Sequence, residues 1–234
     1  MSRELPPTSP FAGDDGSADP DLALALAERD PAIRRSAVVH ALARARVLVP
    51  VVSHLEERDH DADGRPTGEK RASAAMVTLA APDGRGAIPV FSSMDTLRTW
   101  RPDARPIPME AVRAALGAVT EADGLLVVDP AGPVTVQVPR PAVWALAQQQ
   151  PWVPAATDPE VAAHIGALVG GVPGVVSAGV EPGERTEVRI VLVLQAGLAR
   201  EQVQQITQHA SGLLAGEELV AQRIDSLEFQ VRSE

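Results

Sequence analysis

The chain has 234 residues, 45 % of them hydrophobic and 22 % charged, which suits one large domain or two small ones and excludes a wholly disordered polymer. It has no cysteine, so disulfides, thiolate-bound metals and thiol catalysis are excluded together. A net charge of −10 repels phosphate backbones and argues against nucleic acid as a partner. Aromatic residues make up only 3 %, so the cores must be built from Val, Leu, Ile and Ala. Met1–Pro20 lacks the basic-then-apolar pattern of a secretory leader, and the longest apolar runs, such as Val47–Val52, are too short to span a bilayer. The expected location is the cytoplasm, with no membrane partner.

Residues 1–18 are rich in Pro, Ser, Gly and Asp and read as a flexible tail. Asp19-Pro20 and Asp30-Pro31 each read as an N-cap followed by a proline at the first helical position. Ile33, Ala37, Val38, Ala41, Leu42 and Ala45 recur at three- and four-residue spacing and predict the buried stripe of the second helix. Val47–Val52 follows as a buried strand, and residues 53–72 form a long polar loop. Ala75–Ala80 and Ala87–Phe91 read as two strands joined by the turn Pro82-Asp83-Gly84-Arg85-Gly86. Ser92 to Asp95 fits a capping box with Ser92 as cap, opening a short helix that carries Met94, Leu97 and Trp100.

Ile107–Met109 suggests a small strand, and Val112, Leu116 and Val119 mark a helix that Gly124 ends. Leu125–Val128 reads as a buried strand, Asp129–Pro133 as a turn, Val134–Val138 as an alternating strand and Pro141–Gln149 as a closing helix. Pro151–Pro154 restricts the chain as a semi-rigid linker. Beyond it the pattern restarts as helix 158–169, strand 174–180, turn, strand 187–195, helix 198–214 and strand 224–231. Such a unit can form a two-layer sandwich with helices on one side of an antiparallel sheet. The expected fold class is α+β: two small α/β layers, each a largely antiparallel or mixed sheet packed with helices. The expected organisation is a tail at 1–18, a first domain at 19–150, a linker at 151–156 and a second domain at 157–234.

Several stretches resemble the SseB family, also called the enhanced serine sensitivity proteins. They are Leu48-Val49-Pro50-Val51-Val52, Ala74–Leu79, Gly86-Ala87-Ile88-Pro89-Val90-Phe91-Ser92-Ser93 with Leu97 and Trp100, and Leu126–Pro133. Their order covers roughly residues 20–150, while the second half is similar to the family's C-terminal domain in element order. The resemblance implies a bacterial two-domain protein without an established enzymatic activity, and it supplies no catalytic residues. A serine-related phenotype gives the family its name.

Chemistry-bearing patterns are few. Asp59, Asp61, Asp63 and Gly64 match the opening of a calcium loop, but the twelfth position holds Lys70 where a bidentate Glu belongs. These carboxylates are a weak metal candidate, and a solvated acidic loop explains them. His54 and His60 read as exposed loop residues. Ser92 and Ser93 lack a G-x-S-x-G setting, and capping accounts for a serine there. No catalytic constellation and no need for a cofactor emerge.

Scarce aromatics make Phe91 and Trp100, with Asp129 and Pro130, the candidate binding residues. The expectation is a non-enzymatic interaction module with a protein partner. Two alternatives stand beside it. One is a sensor or enzyme for a small amino-acid-related ligand; the other is an RNA- or ribosome-associated factor using Arg29, Arg34, Arg35, Arg44 and Arg46.

Overall fold

The computed structural model describes residues 11–53, 74–81 and 83–234. The acidic candidates Asp59, Asp61 and Asp63, and His54 and His60, lie outside the described residues. So does the 1–10 portion of the stretch read as a tail.

Both Asp-Pro pairs start helices. The Asp19 carboxylate accepts from the N–H groups of Asp21 and Leu22 and opens α1 (Pro20–Leu26). Asp30 does the same for Ala32 and Ile33 and opens α2 (Pro31–Leu42). A side-chain acceptor at the cap satisfies amide donors that have no partner inside the helix. α2 buries Val38, Val39 and Leu42, but Ile33 stands 58 % exposed. The expected stripe therefore holds at its C-terminal end and fails at its first residue.

The first half carries two sheets. β1 (Arg46–Ser53) lies between β2 (Ala74–Met76) and β5 (Arg105–Glu110), antiparallel to both. The second sheet has the order β3-β4-β6-β7, from Leu79–Ala80, Gly86–Val90, Leu125–Val128 and Val136–Val138. β4 and β6 run parallel, and α3 (Met94–Trp100) and α4 (Ala111–Glu121) lie in the connection between them. A parallel return needs such a crossover. The single strand expected over 75–80 is thus two short ones serving different sheets. Leu48 and Phe91 exchange two 2.8 Å backbone hydrogen bonds, which stitch the sheets together.

The core between these sheets and their helices holds Leu42, Val49, Ile88, Val90, Leu126 and Val143. α4 packs through Ala111, Ala114, Ala115 and Ala118, leaving Leu116 exposed. The expected Val112–Leu116–Val119 face is therefore not the main buried one. Alanine lets a helix approach closely, so here the smaller side chains face inward. α5 (Arg140–Ala147) closes this half.

After a single 3-10 turn at Ala155–Thr157, the second half runs α6 (Pro159–Gly170), β8 (Val175–Pro182), β9 (Val188–Leu194), α7 (Arg200–Ala215), α8 (Glu218–Arg223) and β10 (Leu227–Ser233). Its sheet order is β10-β9-β8. β8 pairs antiparallel with β9, but β10 pairs parallel with it. The sheet is mixed rather than antiparallel because α7 and α8 carry the chain back before it re-enters. Ile165, Val169, Ile190, Leu192 and Leu214 form a separate core. Among the described residues, no helix is long and apolar enough to cross a membrane.

Arginines of the first half fasten the second. The Arg85 guanidinium grips Asp225 with both arms, at 2.6 and 3.0 Å, and the Asp225 side chain is only 2 % exposed. Arg35 donates to the carbonyls of Thr186 and Glu187, and Arg140 donates to that of Ala221. A forked guanidinium matches a carboxylate geometrically, which suits it to a desolvated contact.

Candidate functional site

The candidate binding residues come together around the Leu48–Phe91 stitch, but they are packed. Phe91 is fully buried with Leu48 and Leu97, and Met94, Trp100 and Ala104 pack against them. The rings of Phe91 and Trp100 lie 5.2 Å apart at 37°, and the Arg101 guanidinium covers the Trp100 ring. Pro130 is buried beside Asp129.

Asp129 is 3 % exposed and its carboxylate is fully engaged. Oδ1 accepts from Ser92 N at 2.8 Å and Thr96 Oγ1 at 2.7 Å, and Oδ2 accepts from Ser92 Oγ at 2.6 Å. The backbone of Asp129 sits in the left-handed region at φ 49°, which Asp tolerates better than most residues. Its carbonyl accepts from Thr135 Oγ1 and Gly132 N.

Ser92 is not the cap of α3. Ser93 is, in a capping box with Thr96. Ser92 is consumed one residue earlier, in the bond to Asp129. A serine donating its proton to a buried carboxylate could resemble an activated nucleophile, but Ser92 is only 3 % exposed. Arg46 adds to this network, donating to the Ser92 carbonyl while paired with Asp14 at 2.6 Å. Together with a bond from Met94 N to the Gly16 carbonyl, this holds residues 11–18 against the first half.

Of the five arginines considered for RNA, Arg46 is thus paired internally and Arg35 faces the second half. Among the described residues, no cluster of His, Asp and Glu is arranged to hold a metal ion.

A broad concavity lies elsewhere among the described residues. A groove of about 1220 Å³ runs along α1 and α2 to the 152–157 segment and the second half. Its walls are largely apolar: Leu24, Ile33, Ala37 and Ala41 on the helices, and Trp152, Pro154 and Ala155 opposite. Leu24 is 75 % and Ile33 is 58 % exposed. Glu187 reaches the groove from the start of β9 and is only 6 % exposed. Its Oε2 accepts from Asp225 N at 2.6 Å, while Oε1 has no hydrogen-bond partner. Burial pushes this carboxyl up to about 7, and the neighbouring Asp225 charge adds to the rise. The Trp152 indole N–H, also on the groove, is buried without a partner.

Sequence reading missed this site. Periodicity puts Ile33 on the buried stripe of α2, and the apolar run gives Glu187 no more than the first place of a strand. The available signal was an isoleucine next to an arginine pair at the start of a helix.

These features define an α+β protein with a main core in each half, an ionic joint between the halves and an apolar groove beside that joint. Residues 21–145 match the family model of the SseB protein N-terminal domain, and the chain belongs to that family. The second half lies beyond the matched span. No curated protein and no solved structure matches the chain.

Proposed function

We propose that this chain is a non-enzymatic binding module of the bacterial cytoplasm whose docking face for a protein partner is the groove along α1 and α2. The observation that carries this reading is the exposure of two large apolar side chains, Leu24 at 75 % and Ile33 at 58 %, on the walls of a groove of about 1220 Å³. Exposed apolar surface next to a concavity costs solvation unless a partner covers it. The acidic charge and the lack of cysteine agree with a cytoplasmic setting. A photo-crosslinking residue at position 33, irradiated in the native host, is expected to form a protein adduct. The same residue at the exposed position 116 is the control. An adduct at 33 that disappears with Leu24→Asp supports the reading; no adduct at 33 overturns it.

A second reading, a small ligand with an apolar body and a hydrogen-bonding head, is favoured by the unsatisfied Glu187 Oε1 and Trp152 indole N–H on the same groove. Thermal-shift measurements with serine and longer-chain amines test it; an unchanged midpoint counts against it.

A further inference from the structure

We propose that the occupant of the groove is a second copy of this chain, docked across a two-fold axis perpendicular to α2. The inference rests on the binding role just described and names its partner. A two-fold contact requires that one patch be complementary to itself, and three observations meet that condition.

The knobs and the hollow lie on the same face. Leu24 and Ile33 stand out from the helices, while Ala37 and Ala41 keep the adjoining groove open. A two-fold rotation carries each copy's knobs toward the other's hollow.

The charges on this face are polar along α2. Glu28 lies just before the helix, and Arg44 lies just after it; both line the groove. The helix between them spans about 18 Å, from its residue count and the rise per residue. An antiparallel copy brings each Glu28 toward the partner's Arg44. A parallel arrangement, by contrast, would oppose like charges at both ends.

Among the described residues, neither charge is spent in an ion pair. Among the described residues, Glu28 accepts from the backbone of Arg29 and Asp30 alone, and no salt bridge involves Arg44. Their pairing across the axis would be exposed at the rim. It would set register and salt dependence more than strength, which the apolar centre supplies.

Sedimentation equilibrium of the full chain from about 1 µM to about 100 µM tests this. The expected result is a monomer–dimer equilibrium within that range. Leu24→Asp, at a site too exposed to matter for the fold, should weaken the dimer by about a hundredfold. Arg44→Glu and Glu28→Lys should each weaken it by about tenfold. Mixing those two variants should restore association, because both rim contacts then join opposite charges. Circular dichroism melts of each variant report the fold.

A chain that stays monomeric throughout overturns the proposal, as does a dimer that Leu24→Asp leaves intact. Failure of the mixed pair to reassociate overturns the two-fold arrangement. A monomer that still yields an adduct at position 33 with another protein overturns the self-pairing while the binding role stands.

Discussion

Ser92 donates its hydroxyl proton to Asp129 across 2.6 Å and 37 residues of chain, tying the entrance of α3 to the end of β6. Asp129 gathers three donors, and removing its carboxylate would leave the amide and hydroxyl of Ser92 without a partner, while Thr96 Oγ1 keeps the Ser93 carbonyl. Asp129→Ala should cost about 3 kcal/mol, since each orphaned buried donor costs roughly 1–3 kcal/mol. Ser92→Ala should cost about 2 kcal/mol. Ser93→Ala removes only a cap and should cost about 1 kcal/mol. Urea unfolding of the three variants checks the order, which reverses if Ser92 is the cap.

The Arg85–Asp225 contact joins the two halves. Among the described residues, Arg85→Ala leaves the buried Asp225 with a distant Arg140 ion-pair partner at 3.9 Å. Removing one member of a buried pair typically costs about 3–5 kcal/mol. The loss should lie at the low end, because Arg85 is partly exposed and water can replace it. Two thermal transitions in place of one, seen by differential scanning calorimetry, would mark the uncoupling of the halves.

Glu187 makes stability depend on pH. Its carboxyl titrates near 7 in the folded chain, against an ordinary value of 4.5, because burial penalises the charged form. The folded state therefore holds a proton that the unfolded chain has released. The stabilising contribution is complete below about 4.5, declines as pH rises between 4.5 and 7, and is gone above 7. The fall is on the order of 3 kcal/mol. Arg35, Arg140 and Asp225 face the same carboxyl. Glu187→Gln should flatten the slope in a series of urea titrations from pH 5 to about 8; an unchanged slope contradicts it.

Exposure at the groove predicts tolerance. Ile33→Ser and Leu24→Ser should shift monomer stability by no more than about 0.5 kcal/mol. Leu42→Ala, in the same hairpin but fully buried, should cost about 2–5 kcal/mol. Thermal melts at low protein concentration separate the two cases.

The parts of the fold legible in the sequence are those set by neighbours in the chain. Asp19 and Asp30 cap their helices because the acceptor lies two or three residues from its donors. The order of elements in the second half is legible, but an antiparallel sheet is expected there and a mixed one is found. What escaped depends on distant residues. Ser92 and Ser93 are equivalent caps until Asp129 claims one of them. Periodicity placed Ile33 on a stripe but could not say that the protein leaves that end of the stripe uncovered. The parallel pairing of β10 with β9 follows the return of the chain through α7 and α8, and an apolar pattern in the strands does not state its direction. The groove is not legible in the sequence, because its lining joins α1 and α2 to Trp152 and Glu187, which lie more than 100 residues further along the chain.

The forked contact between Arg85 and Asp225 also constrains how such a chain can diverge. The arginine sits in a hairpin turn, a place where substitutions are usually tolerated. Here it answers to a residue 140 positions away. A drift to glycine at the turn would strand a buried carboxylate and a lysine would lose the forked match, so the two positions should change together or not at all. In a lineage that has lost the second half, the turn should be free to vary.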